Sequence, residues 1–118
     1  MSRALVILDH GSRRPEAHAQ LEALAASLRE RAPQLFVTIA HLELAAPSLA
    51  EAIDACVAAG AREVCVHPLF LAAGRHLAED VPGLVEAART KHPDLSIRLL
   101  EALGARAELA DVILATLA

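Results

Sequence analysis

Four apolar, strand-like runs alternate along this chain with four segments of helical periodicity, and no other feature restricts its fold so strongly. Residues 4–8 (ALVIL) form an unbroken apolar run, as expected of a strand buried on both faces. Pro15 suits the first turn of a helix, and Leu21, Leu24 and Leu28 recur at helical spacing until Pro33 ends the segment. Residues 35–44 (LFVTIAHLEL) read as a second strand, rich in β-branched side chains. Ser48 and Glu51 have the spacing of a capping box, Leu49, Ile53 and Val57 give the following helix an apolar face, and Gly60 suits its C-terminal exit. Residues 63–67 (EVCVH) predict a third strand, followed by a loop over 68–76 and a helix over 77–91, bent near Pro82 and Gly83. Residues 95–100 (LSIRLL) predict a fourth strand, and a last helix after Gly104 aligns Leu109, Val112, Ile113 and Leu117 on one stripe.

Strict strand–helix alternation with short connections implies an α/β fold. The expectation is a flavodoxin-like three-layer sandwich with a four-stranded parallel sheet of order 2-1-3-4 and helices on both faces. The 118 residues suit a single domain, and no linker, repeat or low-complexity segment interrupts residues 1–118.

Composition removes several classes of function. A formal net charge of −4 argues against nucleic acid as a partner, because phosphate binding needs a basic surface. With two Phe and no Tyr or Trp, the chain also lacks aromatic platforms for stacking bases or walling a flavin. No apolar run reaches the length of a membrane span, and the start MSRALVILDHGS does not read as a signal peptide, so a cytoplasmic protein is expected. Cys56 and Cys65 match neither a CxxC motif nor a zinc ribbon and are expected to be reduced packing residues.

In open parallel sheets, ligands bind beyond the carboxyl ends of the strands. Past the first strand come Asp9, His10, Gly11, Ser12, Arg13 and Arg14; near the end of the second come His41 and Glu43; past the third come His67 and then Gly74, Arg75 and His76. Three separate crossings thus deliver His, Glu and His to one edge, and imidazole with carboxylate suits first-row divalent ions. Strand alternation would put His41 and Glu43 on one face, with Glu43 nearer the carboxyl end. His41 and His67 read as structural, whereas His18 and His92, on helices, read as solvated.

Three blocks carry a family resemblance: HGSRRPEA after the first strand, LELAAPSLAEAI from the second strand into its helix, and HPLFLAAGRHLAEDVP after the third. Together, and in this order, they resemble the class II tetrapyrrole chelatases, and in particular the short CbiX-type sirohydrochlorin chelatases. The resemblance covers essentially the whole chain. It implies a chelatase-like fold and insertion of Co²⁺, Fe²⁺ or Ni²⁺ into sirohydrochlorin, with the metal as substrate and no tightly bound cofactor. It also implies two catalytic, metal-ligating histidines at His10 and His76 and an acidic helper at Glu43. Longer relatives look like two such domains fused, which implies a homodimer here. At His18 many relatives carry Asn, so this chain departs from their pattern in its first helix.

The chemistry fits those positions. Metal insertion removes two pyrrole protons and strips water from the ion; neutral imidazoles can accept protons and ligate the metal in turn. Ser12, Arg13, Arg14 and Arg75 flank the histidines and offer partners for the acidic substituents of the macrocycle, while Leu69, Phe70 and Leu71 offer it apolar surface. Other readings of the same residues compete with this one. A histidine-phosphatase reading fails because Asp9 occupies the position where such enzymes hold phosphate with Arg. A non-catalytic metal- or tetrapyrrole-binding domain of the same fold stays open as the alternative.

Overall fold

The computed structural model describes residues 2–72 and 74–118, with residues 75–78 described as backbone only. The chain runs β1 (Arg3–Asp9), α1 (Pro15–Arg31), β2 (Phe36–His41), α2 (Leu49–Ala58), β3 (Glu63–Pro68), α3 (Arg75–Lys91), β4 (Ser96–Leu99), a 3₁₀ turn at Leu103–Ala105, and α4 (Glu108–Ala115). The four strands form one parallel sheet of order β2-β1-β3-β4. The strand order and the fold class expected from the sequence are therefore both observed.

Strand alternation divides the core into two layers. Ala4, Val6, Leu8, Ala40, Val64, Val66 and Ile97 point to the face covered by α2 and α3, where they meet Ile53, Cys56, Val81 and Val85. Ile7, Val37 and Ile39 point to the opposite face, where Leu21 and Ala25 of α1 cover them. Both cysteines are free and buried, Cys56 against α2's own layer. Burial pushes the Cys56 thiol up to about 11, the behaviour of an inert packing residue.

Local signals worked where a backbone group needed a partner. Pro15 opens α1. The Ser48 hydroxyl accepts from the Glu51 N–H at 3.2 Å, and the Glu51 carboxylate accepts from the Ser48 N–H at 3.0 Å, completing the capping box. Gly60 takes the left-handed conformation just past α2, with φ +93°.

Several boundaries differ from the sequence expectation. β2 stops at His41 rather than at 44, so the apolar-polar alternation through Leu42, Glu43 and Leu44 lies in a bend, with Leu44 at φ +70°. β3 extends to Pro68, and α3 begins at Arg75, which places His76 in its first turn rather than in a loop. α3 continues through Pro82 as one helix, although Pro82 has no N–H to donate to the preceding turn. The stripe expected on the last helix exists, but it stays largely exposed: Leu109 is half-buried and no residue of α4 is fully buried.

Candidate active site at the carboxyl edge of the sheet

Parallel pairing brings the ends of β1 and β2 level, with Asp9 opposite His41, and β3 ends beside them, with Pro68 opposite Leu8. Backbone hydrogen bonds continue past the strand ends, outside the regular ladder. The Leu42 N–H donates to the Asp9 carbonyl at 3.0 Å, and the Glu43 N–H donates to the His10 carbonyl at 3.1 Å. The two loops approach so closely that a Cβ on Gly11 would lie 1.8 Å from the Glu43 carbonyl oxygen, and Gly11 itself sits at φ +106°. Only glycine fits here, for both reasons.

This clasp sets His10 against Glu43. The His10 Nε2 lies 2.8 Å from the Glu43 Oε1, and both side chains are more than half exposed. A carboxylate on Nε2 fixes the tautomer with that nitrogen protonated, which leaves the Nδ1 lone pair to ligate a metal or accept a proton. His10 stands between two clefts. One, of about 670 Å³, is lined by His10, Leu42, Glu43, Glu79, Asp80 and Leu84. The other, of about 550 Å³, is lined by Asp9, His10, Ser12, Gln20, Leu69 and Phe70.

The remaining candidates separate. Ser12, Leu69 and Phe70 border the second cleft, although Phe70 is largely buried in the core. Leu71 is 75% exposed. Arg13 and Arg14 are exposed, and the Arg14 N–H donates to the Ser12 hydroxyl at 3.0 Å as the chain enters α1. The side chains of Arg75 and His76 lie outside the described residues; their backbone opens α3 at the same edge of the sheet. Among the described residues, no three His, Cys, Asp or Glu side chains form a metal-holding group.

Three histidines correct the sequence reading. His41 does not share a face with Glu43. It is buried, and its Nδ1–H donates to the Asp9 carboxylate at 2.6 Å. His18 is not solvated: its ring stacks on His41 with centroids 5.1 Å apart, and its Nε2 contacts the Ser12 carbonyl. His92 is not solvated either; it caps α3, with Nε2 at 2.8 Å from Asp54. Lys91, and after it His92, hold the Asp54 carboxyl below its ordinary range. His67, half-buried in β3, has its imidazole pushed down by burial. The sequence reading also missed Glu79 and Asp80. They stand three and four positions beyond 76, one helical turn along α3, and that spacing was the available signal.

A model of the CbiX family matches residues 4–118. The chain belongs to the CbiX family. Among curated relatives, a chloroplastic sirohydrochlorin ferrochelatase of Arabidopsis thaliana is 38% identical over 109 residues, which are 92% of this chain and 48% of that protein. Among solved structures, a provisionally named cobalamin (vitamin B12) biosynthesis CbiX protein from Marinobacter aquaeolei VT8 superposes with a TM-score of 0.85 at 35% identity, covering 98% of this chain and 93% of that one. The sirohydrochlorin chelatase SirB of Bacillus subtilis subspecies spizizenii, solved in complex with cobalt, gives 0.85 at 27% identity, covering 99% of this chain and 50% of SirB. The chain thus spans about half the length of two of these family relatives and nearly all of the third.

Proposed function

We propose that this chain is a sirohydrochlorin chelatase, inserting a divalent metal into a sirohydrochlorin-type tetrapyrrole in cobalamin or sirohaem biosynthesis. The observation that carries this reading is the His10–Glu43 pair, 2.8 Å apart and open to clefts on both sides at the carboxyl edge of the sheet. Family membership supplies the substrate class.

In this reading residues 1–118 act as one chelatase domain. His10 and His76 ligate the incoming ion first; as the metal–imidazole bonds break and metal–pyrrole nitrogen bonds form, the imidazole lone pairs so freed take the two pyrrole protons. Glu43 orients His10 and carries its proton to solvent. Ser12, Arg13, Arg14 and Arg75 meet the acidic substituents of the macrocycle, and Leu69, Phe70 and Leu71 its apolar surface. Co²⁺ is the favoured substrate metal and Fe²⁺ the next, with no tightly bound cofactor. The cobalt complex of SirB and the ferrochelatase of Arabidopsis support that pair.

A homodimer is part of this reading: one small domain offers an open shelf to a wide macrocycle, and a second copy would enclose it. Among the described residues no helix is long and apolar enough to cross a membrane. We place the protein in the cytoplasm. The test is anaerobic insertion into sirohydrochlorin with Co²⁺, Fe²⁺ and Ni²⁺ in competition, followed by visible absorption. Catalysed insertion above the protein-free rate, with Co²⁺ or Fe²⁺ ahead, is expected; no acceleration with any metal overturns the reading.

A further inference from the structure

Gly104 is exposed, in the 3₁₀ turn Leu103–Ala105 that follows β4. Its φ lies outside the left-handed region, so backbone conformation does not call for glycine there. Space does. A Cβ on Gly104 would lie 1.7 Å from the Leu71 carbonyl oxygen, 2.5 Å from the Leu71 carbonyl carbon and 2.8 Å from its Cα. The Gly104 N–H donates to the Phe70 carbonyl at 2.8 Å. The turn has supports of its own. The Ala105 N–H donates to the Ala102 carbonyl and the Arg106 N–H to the Leu103 carbonyl, each at 3.0 Å. Just before the turn, the Leu100 N–H donates to the Val66 carbonyl at 2.9 Å, which ties this end of the chain to β3.

The loop that meets the turn is anchored on either side of Leu71. The Leu69 N–H donates to the Leu8 carbonyl at 2.7 Å, and Phe70 is buried in the core. Farther on, Val81 and Val85 hold α3 in the same core. Leu71 lies between these anchors, its side chain exposed and its carbonyl seated on Gly104.

We propose that Gly104 is a positioning residue for tetrapyrrole binding: the Leu71 peptide rests on its bare Cα, and this seat fixes the ledge that Leu69, Phe70 and Leu71 present to the macrocycle. The inference rests on the chelatase reading above. Gly104 acts through the Leu71 peptide. A side chain at 104 must displace either the turn or that peptide. The turn is tied to Phe70, to β3 and to itself, so the Leu71 peptide yields. The displacement stays local, because Phe70 on one side and α3 on the other are held by the core. It therefore alters how the ledge meets the macrocycle and leaves the His10–Glu43 pair in place.

The test is Co²⁺ insertion with sirohydrochlorin varied at saturating metal, together with binding of metal-free sirohydrochlorin followed by visible absorption. Circular dichroism checks folding. Gly104→Ala should raise both KM and Kd for sirohydrochlorin roughly tenfold, with kcat kept within about threefold of wild type. Ala102→Gly combined with Ala105→Gly loosens the same turn without a clash, and should move KM and Kd the same way by about threefold. A folded Gly104→Ala protein with wild-type KM and Kd overturns the proposal, even if its melting temperature falls, because the glycine then serves only the packing of the turn. A loss of kcat at unchanged KM overturns it as well. If Gly104→Ala does not fold, the double glycine variant decides, and wild-type KM and Kd in it overturn the proposal. A wild type that neither binds sirohydrochlorin nor accelerates insertion overturns the chelatase reading and this inference together, whereas an active wild type beside an unaffected variant overturns this inference alone.

Discussion

Two carboxylate–imidazole pairs stand at the end of β1 and differ in their access to water. Glu43–His10 is exposed, with His10 bordering both clefts and Glu43 one of them, whereas Asp9–His41 closes over a buried ring. The first pair is suited to moving protons, the second to holding structure. Glu43→Gln keeps the shape and removes the negative charge, so turnover should fall by about 10²–10⁴-fold, with cobalt binding affected less than in the histidine variants; unchanged turnover removes Glu43 from the mechanism. Asp9→Ala strands the His41 Nδ1–H and should cost about 1–3 kcal/mol in urea denaturation. His67 supplies a pH dependence. Burial holds its folded pKa below the ordinary value, so the unfolded chain binds its proton first as pH falls. Stability is therefore lost as pH drops through about 6.5 toward the folded pKa. His67→Gln should flatten the melting temperature across that window, and an unaltered slope in the variant would assign the effect elsewhere. The errors at this scale share one cause. His18 and His92 looked solvated because each lies on or at the end of a helix, and their partners His41 and Asp54 are more than twenty residues away, where no local periodicity points to them.

Among the elements, the loops after β1 and β2 are held together by the Leu42–Asp9 and Glu43–His10 backbone hydrogen bonds, and Gly11 packs directly against Glu43. Gly11→Ala puts a methyl group into the Glu43 carbonyl at a backbone angle that L-residues resist, so the loops must separate and His10 must leave Glu43. Destabilisation of at least ~2 kcal/mol with loss of most insertion activity is expected; a variant with wild-type melting and turnover would show that the clasp does not position the site. The strands, the capping box and the helix starts at Pro15 and Leu49 were legible because propensity and burial agree there. The end of β2 was not. Leu42, Glu43 and Leu44 keep the alternation of a strand, and only the left-handed turn at Leu44 shows that the chain has already left the sheet. Glu43 reaches His10 from this bend, where its N–H donates to the His10 carbonyl at 3.1 Å.

At the scale of the whole molecule, strand–helix alternation and right-handed crossovers left few topologies, and the order β2-β1-β3-β4 was readable for that reason. The meeting of three crossings at one edge was readable as well, because parallel strands of equal register end together. The exposure of α4 was not, since an amphipathic stripe reads the same whether its own sheet or another copy covers it. In the proposed mechanism two histidines from different crossings act as one unit on the metal. The most direct measurement is the anaerobic rate of Co²⁺ insertion into sirohydrochlorin by the wild type, His10→Ala, His76→Ala and the double variant, each shown to be folded. Each single substitution should abolish most catalysed insertion, and the double variant should be little worse than either, as for residues that work together. Near-wild-type rates in both single variants would contradict it.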